Sequence, residues 1–155
     1  MPPTQAWDAE TALRGAGLRV TRQRLAVLEA LHERPHASAE TLTSVTRDAL
    51  GSVSVQAVYD VLAACGDHGL VRRIQPAGSP ALFETRASDN HHHLVCATCG
   101  RVTDVDCVVG AAPCLAPADA HGYTVDQAEV VFWGTCPDCA GRASANGASP
   151  EAGAT

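Results

Sequence analysis

Two CxxC pairs, Cys96–Cys99 and Cys136–Cys139, constrain this chain more than any other feature. Each pair sets two thiols on one tight turn. Two such turns can close a tetrahedral cage of four sulfurs, a donor set that suits Zn2+. Gly100 follows the first pair and Pro137 lies inside the second, as knuckle turns often require. Two thioredoxin-like redox motifs are the alternative, but they need a βαβ context that the neighbouring sequence lacks. A closed four-sulfur site keeps no open position, so its expected role is structural. It would tie the last strand of its domain to the first ones.

The start, MPPTQAWDAE, lacks a basic region followed by an apolar core, and no apolar run is long enough to span a bilayer. The expected location is the cytoplasm. Seven cysteines there point to metal binding or thiol chemistry rather than a disulfide framework. Cys65 falls on an apolar helix stripe and reads as core. Cys107 and Cys114 flank VVGAAP; they could pair or add to a metal site, and no spacing rule decides.

The net charge of −6 is unevenly spread over the 155 residues. There is no lysine. Through residue 83 there are eight Arg against eight acids; from residue 84 there are three Arg against nine acids. Two domains with different partners are the natural reading. A neutral first half can still bind DNA if its arginines share a face.

The first half reads as short helices followed by a hairpin. A helix from Trp7 to about Ala16 ends at Gly17. Thr21 can cap TRQRLAVLEALHE, with Leu25, Leu28 and Leu31 on one face. Ser38 can cap AETLTSVTRDAL, and Ser54 can cap VQAVYDVLAAC. In the last of these Val55, Val58, Leu62 and Cys65 form the apolar stripe, and Gln56, Ala57, Tyr59 and Asp60 lie off it. GLVRRIQPAGSPALFE then reads as two strands joined by a Pro/Gly/Ser turn. Helices followed by a hairpin give the order of a winged helix-turn-helix, which sets one helix into the DNA major groove. On that reading Ser54, Gln56, Ala57, Tyr59, Arg22 and Arg72 are the candidate DNA contacts. A generic small helical domain is the plainer alternative.

The second half differs. HHHLVC, RVTDVD and YTVDQAEVVFWGTC are strand-like, and APADAHG suggests a helix or loop. After Ala140 the tail GRASANGASPEAGAT has no bulky apolar residue and reads as disordered. The expected division is a winged-helix domain over 1–83, a hinge over 84–90, a zinc-binding dimerisation domain over 91–140 and a tail over 141–155. The fold class is α+β.

Successive side chains on a strand alternate faces, so His91 and His93 point one way and His92 the other. Two imidazoles on one face make half of a metal site. Glu84 and Asp104 are close in sequence, and mixed imidazole and carboxylate donors suit Fe2+, Mn2+ or Zn2+. A solvated histidine run is the plainer alternative.

With these residues in view, the chain resembles the ferric uptake regulator family. GLRVTRQRLAVLEAL, PHASAETL, SVSVQAVYDVLAACGDHGLVRRI, HHHLVCATCGRVTDV and CPDC match it in order and spacing, over roughly residues 10 to 140. The resemblance implies a dimeric, metal-dependent transcription repressor that binds double-stranded operator DNA and is not an enzyme. It implies structural zinc on Cys96, Cys99, Cys136 and Cys139. It also implies a regulatory Fe2+ or Mn2+ site between the domains, on His36, Glu84, His91, His93 and Asp104. Peroxide sensors of the family carry Asp where iron and zinc sensors usually carry Glu, and Asp104 holds that position. A further site of many iron and zinc sensors is incomplete here: Ala128 and Asn90 stand at two of its histidine positions, although His92 and His121 remain. Asp60 follows Tyr59 where Arg is common. The match is closest to the actinobacterial branch associated with catalase-peroxidase control, which implies release of the operator under peroxide or redox stress. An iron- or zinc-responsive uptake repressor is the alternative within the family. A zinc hydrolase or deaminase would need an open metal position and a carboxylate base, and the chain has no HxE or HExxH. A zinc-ribbon interaction module would leave the helices and hairpin unexplained.

Overall fold

The computed structural model describes residues 7–85, 91–106, 117–125 and 128–146. Cys107 and Cys114, most of the expected hinge and the last part of the expected tail lie outside these residues. The chain divides into two compact units, Met1–Asp89 and Asn90–Thr155. Among the described residues no single helix is long and apolar enough to cross a membrane.

The first unit opens with α1 (Ala9–Gly15), α2 (Arg22–Glu33), α3 (Ala39–Leu50) and α4 (Val55–Asp67). Each begins at a short polar side chain that accepts from a backbone N–H three residues on: Asp8 from Thr11, Thr21 from Arg24, Ser38 from Thr41 and Ser54 from Ala57. Each cap satisfies one of the donors a helix start leaves open and is worth about 1 kcal/mol where it is shielded. The apolar stripes meet in one core. Leu13, Val27, Leu28, Leu31, Leu42 and Val58 are fully enclosed there. Truncating any of these leucines to Ala should cost about 2–5 kcal/mol.

Three strands complete this unit. β2 (Arg72–Ile74) and β3 (Leu82–Glu84) form the expected hairpin. The sequence reading missed β1 (Ala37–Ser38), which pairs antiparallel with β3 and gives the order β1-β3-β2. A strand of two residues leaves no alternation to detect.

The second unit holds a three-stranded sheet. β4 (His91–Cys96) lies between β5 (Val102–Asp106), antiparallel, and β6 (Val131–Gly134), parallel. Among the described residues of the long run YTVDQAEVVFWGTC the strand is β6, and the described residues 117–122 are turn and loop rather than helix. One expectation fails more clearly. The stretch read as disordered from residue 141 begins inside α5 (Pro137–Asn146). Lack of bulky residues prevents a core, but it does not prevent a helix. Pro137 suits the first helical position, Asp138 suits the positive end of the dipole, and buried Cys139 anchors the first turn. Asp138 also accepts from Arg101 at 2.6 Å, which holds α5 to the turn after β4.

Candidate functional site

The turn after β4 and the start of α5 bring the four cysteines together. Their sulfurs all lie within 4.8 Å of one another. Cys99 and Cys136 are 3.8 Å apart, sulfur to sulfur. Four thiolates at zinc bonding distance, about 2.3 Å, would stand about 3.8 Å apart at the corners of a tetrahedron. The set therefore fits Zn2+ in donor chemistry and in size. Gly100 supports the first turn with φ +75°, a conformation other residues resist. The sulfurs are electrostatically unequal. The Cys136 N–H donates to the Cys96 sulfur at 3.3 Å. That bond, with help from the Cys99 backbone, pulls the Cys96 thiol down to about 5. Hydrogen bonding with the Cys136 side chain, followed by burial, pushes Cys139 up to about 12. Four sulfurs this close cannot all ionise without a cation. Cys65 sits apart in the first unit's core, where burial raises its thiol.

The first unit places His36 beside Glu84. The His36 N–H donates to the Phe83 carbonyl at 2.8 Å, just before β1 joins β3. His36 adopts φ +64°, rare for a residue with a side chain. The reward is position: its Nε2 lies 3.2 Å from Glu84 Oε2. Glu84 is fully buried, and on its other side Arg72 Nε stands 3.9 Å from Oε1. The pairing of Arg72 with Glu84 across β2 and β3 sets this contact.

The second unit carries another donor set. Alternation on β4 puts His91 and His93 on one face, buried, with their rings 4.9 Å apart. The Nε2 atoms of both stand 3.6 Å from Asp104 Oδ1 on β5. The register His93↔Asp104 produces this grouping. Glu129 joins it, with Oε1 3.6 Å from His93 Nδ1. Sequence reasoning missed Glu129. The alternation of residues 129 and 131, with Val131 opposite His93, was the available signal. A carboxylate at Nδ1 orients an imidazole so that Nε2 faces a metal. His92 lies on the opposite face, edge-on to Phe132, with its buried Nδ1 unpartnered among the described residues. His121 is exposed and stands 3.3 Å from Asp119.

The candidate DNA residues separate. Ser54 caps α4, and Gln56, Tyr59 and Asp60 are exposed along it, while Ala57 is half-buried. Tyr59 also packs edge-on against Phe83 of the hairpin, with ring centroids 6.3 Å apart. Arg22 is exposed at the start of α2. Arg72 departs from expectation. It turns inward to Glu84 with 17% of its side chain exposed, and alternation on β2 leaves Arg73 as the outward cation.

Comparison with known proteins agrees with this architecture. Residues 15–131 match the family model described as "Ferric uptake regulator family". The chain is 58% identical over 132 residues to "Transcriptional regulator FurA" of Mycobacterium tuberculosis, covering 85% of this chain and 90% of that one. The solved ferric uptake regulator of Vibrio cholerae is 29% identical, with a TM-score of 0.62 over 83% of this chain and all of that one. The ferric uptake regulator of Pseudomonas aeruginosa, solved with manganese, is 27% identical, with a TM-score of 0.60 over 83% of this chain and 98% of that one. The chain belongs to the ferric uptake regulator family, and it is a transcriptional regulator rather than an enzyme.

Proposed function

We propose that this protein is a cytoplasmic, homodimeric repressor that binds double-stranded operator DNA when metal-loaded and releases it under peroxide stress. The observation that carries the reading is the pairing of His36 with the fully buried Glu84. Metal donors and DNA-contacting hairpin share one small sheet. β3 ends in Glu84 and pairs with both β1, next to His36, and β2. A cation on this pair would fix the sheet's edge and hold the hairpin against α4 through the Tyr59–Phe83 contact. In the working scheme α4 enters the major groove, presenting Ser54, Gln56, Ala57 and Tyr59. Arg22 and Arg73 serve the phosphates, and Arg72 supports Glu84.

The regulatory ion, Fe2+ or Mn2+, takes His36, Glu84, His91, His93 and Asp104 as ligands. Nitrogen and carboxylate donors suit both ions, and the manganese-bound relative supports the second. The four cysteines hold structural Zn2+. Asp104 in place of Glu supports peroxide control, with a catalase-peroxidase or other oxidative-stress gene as target. Ferrous iron held by His36, His91 and His93 would supply peroxide reduction beside their imidazoles, and oxidation of one of these ligands would end repression. Oxidation of the cysteines to disulfides would give a second route to the same release.

The test is a mobility-shift titration of zinc-loaded protein on its own promoter region, with and without Mn2+. Mn2+ should tighten binding, and Tyr59→Ala should weaken it by about tenfold or more while zinc content and dimer mass stay unchanged. Equal binding with and without Mn2+ would remove the metal-dependent reading.

A further inference from the structure

We propose that Asp60, oriented on α4 by its bond from Gln56, accepts from the exocyclic amine of a cytosine in the operator major groove and so reads that base. The inference rests on the DNA-binding reading above and assigns its base specificity.

The side chains are one helical turn apart near the start of α4, both exposed, and Gln56 Nε2 donates to Asp60 Oδ1 at 2.9 Å. The carboxylate dictates how the amide is turned, because only its nitrogen can face an anion. Gln56 is thereby fixed with its carbonyl oxygen free to accept. Asp60 keeps its second oxygen for a partner. The N-terminal turns of a recognition helix are the part that reaches base edges.

The chemistry of α4 narrows the choice of base. The helix contains no Lys or Arg, so it cannot read guanine by the usual cationic fork. Its exposed polar groups over the first turns are Gln56, Tyr59 and Asp60. A carboxylate oxygen needs a donor. The major groove offers two exocyclic amines, cytosine N4 and adenine N6. Adenine sets the N7 acceptor next to its amine, which repels a carboxylate. Cytosine presents the amine alone, and so it is the better match.

An acid facing phosphates is unfavourable unless cations stand nearby. Asp60 lines an open groove of about 380 Å³ with Arg19, Arg24, Thr21 and Gln23 from the start of α2 and the segment before it. Arg24 is held there by its own bond to the Arg19 carbonyl at 2.7 Å. These arginines can meet the phosphates that flank the base Asp60 reads. A surface pair at this spacing adds little to helix stability. Its fixed acceptor on the groove-facing turns is the property that has a use.

Full-length protein, loaded with zinc and Mn2+, is used to select binders from a pool of randomised duplexes. Affinities are then measured for every single-base-pair change in the selected site. One C·G pair per half-site should be preferred over the alternatives by about tenfold or more. Asp60→Ala should cut that preference to under about threefold at that position alone, and Gln56→Ala should lower it part-way at the same position. Both residues are exposed and helical, so Ala should fold there. If Asp60→Ala leaves every preference intact, or shifts affinity equally for all sequences, Asp60 reads no base and the inference is overturned. If the wild-type protein selects no sequence, the DNA-binding reading falls as well, and that outcome is distinct from the first.

Discussion

His36 Nε2 lies 3.2 Å from Glu84 Oε2, and His36 holds a left-handed backbone to stand there. A strained residue beside a fully buried carboxylate is a common mark of a functional site. Glu84→Gln keeps the shape of the side chain and its capacity to accept from Arg72, so the fold should survive. Removing a ligand should cost at least as much as losing a partner behind one, about 10–100-fold in metal affinity. Calorimetric titration with Mn2+ should show that loss, with zinc content unchanged. Wild-type Mn2+ affinity in the variant would remove Glu84 from the ligand set.

The cysteine cluster makes a prediction about protons. Without metal, Cys96 is held near 5 and Cys139 is raised to about 12. At neutral pH the first is already a thiolate and the second is not. Zinc must therefore displace the proton of the high thiol, and uptake should acidify a weakly buffered solution. Affinity should rise with pH above neutrality and fall steeply as pH approaches 5, where Cys96 regains its proton. Cys136→Ser removes a ligand, while the backbone N–H that lowers Cys96 stays in place. It should lose one zinc per chain, and with it the dimer. Retention of both, measured by elemental analysis and light scattering, would refute a structural zinc.

The cysteine and histidine sites were legible in sequence because their signals are local. CxxC puts two ligands on one turn, and strand alternation alone separates His92 from His91 and His93. The helices were legible through their caps, with Thr21, Ser38 and Ser54 each accepting three residues ahead. What escaped depends on pairing between distant segments. β1 exists only because Ala37 meets Phe83. Arg72 turns inward because it opposes Glu84, and no local pattern tells it from Arg73. Glu129 approaches His93 through a parallel pairing across more than thirty intervening residues. The helix through Asn146 escaped because apolar content was read as a measure of order.

Strand geometry puts the three adjacent histidines on two faces. His91 and His93 face Asp104, and His92 faces Phe132. His91→Ala or His93→Ala should abolish Mn2+-dependent DNA binding and keep the zinc. His92→Ala leaves a cavity and should lower the melting temperature, yet Mn2+ affinity should stay within about threefold, since the His92 side chain points to the opposite face of the strand. An equal loss of Mn2+ binding in all three variants would mean that the strand's two faces do not divide the work.

The last prediction concerns the identity of the ion. The donors can hold either Fe2+ or Mn2+, and both forms should bind DNA. Only iron readily reduces peroxide, so peroxide should end DNA binding by the iron form far faster than by the manganese form. The iron-loaded protein should then show a gain of oxygen on the peptide holding His36 or on the one holding His91 and His93. Substituting Asp104→Glu tests the carboxylate's part. Its longer side chain should leave metal-dependent DNA binding in place while slowing inactivation of the iron form. If both metal forms lost DNA binding at the same rate, the histidines would not be the sensor. Attention would then pass to Cys96, whose thiol is held down to about 5 by the Cys136 N–H.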